Sequence, residues 1–243
     1  MPKVASSVRI KVQQMEPGTL FGYERFTRLD GNEVTIAKAL SRLSKEGAIK
    51  RVAKGKYLKP RKSVFGESRP NEAQILKMLT EKNGKKTGYL TGTALFNQMG
   101  LTTQMPRVLV IATKKPLPLR KIEGYSFKFV KSEAPITESN IPFLQLLDAF
   151  RSARSIPGTG PDEVVTQLIQ KVRVLSPGER NRLAELAVFY PPSTRALVGA
   201  TLEKHFQDST NAKSLFKTLN PLSTYKIGIS DALLPNKAKW RIK

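Results

Sequence analysis

Between Asn32 and Lys62 the spacing of apolar residues changes character. Ile36, Leu40 and Leu43 recur at helical intervals and define one buried face, with Ala37 beside it. Lys38, Ser41, Arg42 and Lys45 fall on the opposite side, flanked by Val34 and Thr35. Gly47 is placed to end this helix in a left-handed cap. Ile49–Val52 and Lys56–Lys59 then read as two short strands turned at Ala53, Lys54 and Gly55. Upstream, Val8, Val12 and Met15 predict a helix over Val4–Met15, broken by Pro17 and Gly18. Thr19–Phe21 fits a short strand that pairs with the hairpin. Tyr23–Leu29 fits a second helix with Phe26 and Leu29 inward, and Asp30 with Gly31 a turn. Helix, strand, helix, helix and hairpin in this order predict a winged helix-turn-helix over residues 1–62.

Residues 63–70 lose the helical period and carry proline, glycine and serine, so a linker is expected. Beyond it, Ile75, Leu76 and Leu79 predict a helix over Asn71–Lys82, and a short helix is expected over Thr91–Met99. Arg107–Thr113 is a strand too continuously apolar for a one-sided sheet. Tyr125–Lys131 alternates as a second strand. Phe143, Leu144, Leu147 and Phe150 open a helical part, followed by helices over Pro161–Val172, from Ser176 to Phe189, and over Ser193–Phe206. Ser176, Pro177 and Glu179 form a helix-start signal. After Pro221 the chain reads as irregular. The expected class is α+β, mainly helical: a winged helix-turn-helix, then a domain over 71–243 that is mixed α/β over 71–135 and helical over 142–210.

Charge sharpens this picture. The chain of 243 residues carries 42 Lys and Arg against 19 Asp and Glu, a formal charge of +23. Such an excess opposes compaction by self-repulsion and points to a polyanionic partner, nucleic acid before an anionic membrane surface. Residues 1–70 hold 16 basic and 6 acidic residues, and the remaining stretch 26 and 13. From Lys50 to Lys62 seven basic residues occur with no acidic one. Cysteine is absent, which excludes disulfides, zinc ribbons, iron–sulfur clusters and thiol catalysis. No apolar run approaches the roughly 18 residues of a membrane span, and the first residues lack the apolar core of a signal peptide. A cytoplasmic protein without a membrane partner is expected.

Catalytic chemistry finds little footing. His205 is the only histidine, so a histidine pair within one chain is impossible. Asp162 and Glu163 sit at a helix start, where carboxylates favour the helix dipole. The glycines of Gly88–Thr93 lack phosphate-loop spacing, and Gly158–Gly160 reads as a turn ahead of a helix. No nucleophile, base and oxyanion site assemble, so neither an enzyme, a cofactor nor a metal is expected. Duplex DNA binding remains. Thr35, Lys38, Ser41, Arg42 and Lys45 would face base edges and phosphates. Lys50, Arg51, Lys54 and Lys56 would lie on the backbone, and Arg42 could reach a guanine bidentately.

Several stretches resemble the antitoxins of the AbiEi type. LSRL at Leu40–Leu43, GAIKR at Gly47–Arg51 and GKY at Gly55–Tyr57 resemble their N-terminal winged helix. GYLTGTAL at Gly88–Leu95 with GLTTQ at Gly100–Gln104 resembles the segment that follows. YPPSTRAL at Tyr190–Leu197 and LNPLSTY at Leu219–Tyr225 resemble the C-terminal part of an uncharacterised branch. The resemblance implies a bacterial toxin–antitoxin or phage-defence setting, with repression of the protein's own operon through inverted repeats. It also implies a nucleotidyltransferase-like toxin encoded alongside, countered with or without a stable complex.

Two other readings compete. One is a stand-alone winged-helix regulator whose C-terminal domain senses a ligand or partner. The other is a nucleic-acid-modifying enzyme, which the sparse acidic and histidine residues disfavour. A neighbouring gene for a nucleotidyltransferase-like protein would separate the antitoxin from the plain regulator.

Overall fold

Short apolar periods set the first elements. The computed structural model describes residues 4–27, 29, 32–63, 66–68, 71–82 and 84–243, with backbone alone at 62, 63 and 66–68. Helix α1 (Val4–Gln13) buries Val8 and Val12, one turn apart on one face. After the Pro17–Gly18 break, β1 (Leu20–Gly22) leads into a single 3-10 turn, Tyr23–Phe26. The expected helix to Leu29 is therefore only four residues long. Phe26 is fully buried against Phe21, with ring centres 5.9 Å apart, so one turn suffices to seat it. The turn expected at Asp30 and Gly31 lies outside the described residues.

Helix α2 (Glu33–Lys45) starts at Asn32, whose side chain accepts from the Thr35 amide at 2.9 Å. Its buried side is Ile36, Ala39, Leu40 and Leu43, with Ala39 rather than Ala37 inside. It ends as expected: Gly47 has φ 73°, the Ala48 amide donates to Leu43 O at 3.0 Å, and the Gly47 amide to Ser44 O at 3.2 Å. These two bonds form a Schellman motif and satisfy carbonyls that the helix leaves open. Strands β2 (Lys50–Ala53) and β3 (Lys56–Leu58) follow, and β3 lies between β1 and β2 in an antiparallel sheet. Gly55, at φ 71°, admits no side chain, because a Cβ would stand 2.8 Å from the Tyr23 ring. Phe21 and Tyr57 stack across the β1–β3 pair, with centres 6.0 Å apart.

The described residues of the expected linker form sheet. Strands β4 (Arg61–Ser63) and β5 (Gly66–Ser68) pair antiparallel, and α3 (Glu72–Thr80) follows. Strands β6 (Glu81–Lys82) and β7 (Lys85–Lys86) make another short pair, so the helix expected to reach Lys82 stops at Thr80. The first compact unit runs through Lys85 and takes in Leu119–Phe127. It thus holds α3, which the expected boundary assigned to the second domain. The reason is packing: Ile75 is fully buried and α3 lies against β1.

The second unit comprises residues 86–118 and 128–243. Strand β8 (Gly88–Thr91) runs into α4 (Thr93–Gln98) through Gly92 at φ 70°. The helix expected from Thr91 begins later because Thr91 completes the strand. Strand β9 (Leu109–Thr113) pairs with β8, and the sheet order is β10 (Arg120–Ile122), β11 (Tyr125–Lys131), β9, β8. The β10–β11 turn, Glu123–Gly124, has φ of 50° and 89° and falls in the first unit. The helices that follow in the second unit are α5 (Ile141–Ser152), α6 (Pro161–Arg173), α7 (Pro177–Ala187), α8 (Pro192–Phe206) and α9 (Ser209–Phe216). Helix α7 opens with the expected reciprocal cap between Ser176 and Glu179. Helix α9 has no counterpart in the sequence reading.

The tail after Pro221 is irregular but packed. Trp240 is buried edge-on to Phe216, with centres 5.2 Å apart, and its Nε1 donates to Glu203 Oε2 at 2.9 Å. Gly199 makes room for it, since a Cβ there would lie 2.2 Å from the indole ring. Among the described residues helix outweighs strand, 44% against 16%, so the α+β, mainly helical class holds.

Candidate nucleic-acid interface and a second cleft

Because α2 buries Ile36, Leu40 and Leu43, the helical period turns Thr35, Lys38, Ser41, Arg42 and Lys45 outward, and all five are exposed. Among the described residues Lys38, Arg42 and Lys45 have no ion-pair partner. Thr35 is less free than its exposure suggests. Its Oγ1 donates to Asn32 Oδ1 at 2.8 Å, which leaves its methyl group and an acceptor lone pair outward. Glu46, next to Lys45, is held by Arg9 at 2.7 Å, tying α1 to the end of α2.

The hairpin cations divide into two sets. Lys54 at the tip and Arg51 on β2 are exposed. Lys50 pairs with Glu123 and Lys56 with Glu24, each at 2.9 Å. Burial raises the Glu24 carboxyl, but the hydrogen bond and charge of Lys56 outweigh it and leave the pKa below its ordinary value. Lys59 turns away altogether and donates to the Gln13 carbonyl at 2.6 Å and to that of Met15, capping α1. The unbroken basic run in the sequence is thus split by the fold. Behind the hairpin, burial and the neighbouring Tyr23 push Tyr57 up to about 12, so this core hydroxyl stays neutral.

The isolated His205 faces a backbone carbonyl, with Nε2 3.1 Å from Leu233 O. Asp162 accepts from the Ser230 amide at 2.9 Å, which accounts for it structurally. Among the described residues no three acidic or histidine side chains gather as metal ligands would, and no helix is long and apolar enough to cross a membrane.

The second unit contains a cleft of about 750 Å³ that the sequence reading missed. At its floor is Asp148, on the buried side of α5. Thr91 Oγ1 donates to Asp148 Oδ2 at 2.7 Å. The Tyr190 hydroxyl lies 3.0 Å from both Asp148 Oδ1 and the Leu144 carbonyl, and its single proton serves one at a time. The Tyr89 hydroxyl sits against Asp148, Tyr190 and Ser132. Desolvation pushes the Asp148 carboxyl above its ordinary value, although the hydroxyls and the charge of Arg151 oppose the shift. Burial, with Asp148 beside them, raises Tyr89 and Tyr190 far above the ordinary phenol, so both keep their protons. One signal could have found this site. Leu144 and Leu146–Phe150 are all buried, and a carboxylate inside so apolar a helical run needs partners. Its three hydroxyl partners stand in the motifs GYLTGTAL (Tyr89, Thr91) and YPPSTRAL (Tyr190).

Comparison with known families matches residues 7–135 to a family of unknown function, DUF6088. The chain belongs to this family. The matched stretch, more than half of the chain, holds the α2 face, the hairpin, Tyr89 and Thr91, and ends before Asp148, Arg151 and Tyr190. Comparison with curated proteins gave no match. Among solved structures, the RV2827C protein from Mycobacterium tuberculosis aligns at 16% identity over 93% of this chain and 84% of its own, with a TM-score of 0.43.

Proposed function

We propose that the first unit is a winged helix-turn-helix that binds duplex DNA, with α2 in the major groove and the β2–β3 hairpin as the wing. The observation that carries this reading is the outward row of Lys38, Ser41, Arg42 and Lys45, unopposed by acid and continued by Lys54 at the hairpin tip. Uncompensated cations on one face repel each other in the free protein, and a phosphate backbone relieves that repulsion. Arg42 is the base-reading residue of this arrangement, and Arg51 and Lys54 are the phosphate contacts. The biological setting rests on the resemblance to AbiEi-type antitoxins: repression of the chain's own operon and neutralisation of a nucleotidyltransferase-like toxin.

The test is a titration of the full chain against its own promoter and against random duplex, at several salt concentrations. Preference for the promoter and an affinity that falls steeply with salt are expected. A flat salt response, or equal binding to random duplex, overturns the reading. Co-expression with the adjacent toxin tests the antitoxin role separately. A stand-alone regulator with a ligand-sensing second unit is the competing reading, and the cleft around Asp148 is the observation that favours it.

A further inference from the structure

The cleft of the second unit has properties that a structural polar cluster does not require. Its floor is a buried carboxyl held by three hydroxyls, with no cation in ion-pair contact among the described residues. Hydroxyls satisfy a carboxylate incompletely, since its two oxygens can accept about four hydrogen bonds. Three residues further along α5, on the same face, Arg151 is exposed at the cleft with no ion-pair partner among the described residues. Lys131, also at the rim, is already engaged by Glu133 at 2.7 Å. The lining also holds apolar side chains, Val110, Val130, Pro191 and Phe189, beside the polar Ser132 and Ser152, and Phe189 is 48% exposed. An aromatic side chain left in water beside a cleft is a stacking platform without a partner.

We propose that this cleft binds a nucleotide whose base carries an exocyclic amine. The amine donates to Asp148, the base lies on Phe189, and the phosphate pairs with Arg151. A hydrogen-bond donor, a flat base and an anion match the Asp148 carboxyl, the Phe189 ring and the Arg151 guanidinium that line the cleft. The volume selects among ligands with these ends. About 750 Å³ lies within the ordinary range of small-molecule sites. An aliphatic free amino acid offers no flat ring to lie on Phe189 and leaves most of such a space unfilled. This site lies on residues separate from the DNA-reading face, so its test stands apart from that of the proposed function.

The experiment is calorimetric titration of the full chain with GMP, AMP, CMP and UMP at physiological salt, with inorganic pyrophosphate as the control for attraction to a basic protein. At least one of GMP, AMP and CMP is expected to bind, with UMP, which lacks the amine, at least tenfold weaker and pyrophosphate weaker still. Arg151→Ala and Phe189→Ala change exposed residues and should each weaken the preferred nucleotide by about tenfold while leaving the melting temperature unchanged. Asp148→Asn should reduce the preference over UMP. Its fold is checked by circular dichroism, and the two surface variants decide the matter if it fails to fold. Absence of binding at millimolar nucleotide, equal binding of UMP or pyrophosphate, or unaltered affinity in both surface variants overturns the proposal.

Discussion

The two compact units carry nearly the same excess charge and use it in opposite ways. The first, residues 1–85 with 119–127, has 21 Lys and Arg against 9 Asp and Glu. The second has 21 against 10 over a longer stretch. In the first, cations stand outward from a small core around Phe26 and Leu40, and the ion pairs there restrain only some of them. In the second, a larger core continues from the sheet through α9 to Trp240, and its most perturbed ionisable groups lie inside, around Asp148. The lesson is that net charge does not locate function. Paired or capping cations such as Lys50, Lys56 and Lys59 count toward the total but serve the fold. A carboxyl that adds one negative charge can mark the more specific site.

The widest separation between the units should appear in stability. Trp240→Ala removes a fully buried ring and its bond to Glu203, at a cost of about 3–5 kcal/mol. Calorimetry should show the loss in the second unit's transition, with promoter binding intact below it. If promoter binding fails at temperatures where the second unit remains folded, the units are coupled and the comparison breaks. Next in size, Arg42→Ala should cost about 1–3 kcal/mol of discrimination between promoter and random duplex. A loss that is equal on both duplexes would move Arg42 from base reader to phosphate contact.

A finer comparison lies within the hairpin. Lys54→Ala should weaken all duplexes alike and lower the salt slope by roughly one. Lys50→Ala and Lys56→Ala should do less, because Glu123 and Glu24 already compensate those charges. Equal effects at all three positions would mean that the pairs open on DNA.

The smallest effect concerns pH. The folded pKa of Asp148 lies above its unfolded value, so the folded state holds the proton more tightly. That contribution to stability is fully present below the unfolded pKa and is lost as pH rises through the raised one. The groups facing it are Tyr89, Tyr190 and Thr91, which stay neutral, and the cation Arg151. In urea titrations at several pH values, the stability of the natural chain minus that of Asp148→Asn should decline as pH rises from the ordinary carboxylate range. Glu24 and Glu203, held below their ordinary values, contribute in the opposite sense, and the difference cancels them. A difference that rises with pH would mean the carboxyl is charged and well compensated.

Local periodicity determined most of the elements by itself. The α2 face, its Gly47 stop, the reciprocal cap at Ser176 and the alternating strand Tyr125–Lys131 could be read directly, because each depends on residues within one or two turns of each other. Tertiary structure alone decided three other matters. It shortened the second helix to one turn, since Phe26 needs only a place beside Phe21. It put α3 with the first unit, because that helix packs against β1. It also separated Lys38, Arg42 and Lys54, which have no ion-pair partner among the described residues, from the paired cations, and brought Thr91 and Tyr190 to Asp148 across 57 and 42 residues of chain. Contacts at that range depend on how the elements pack, and no local pattern along the chain encodes them.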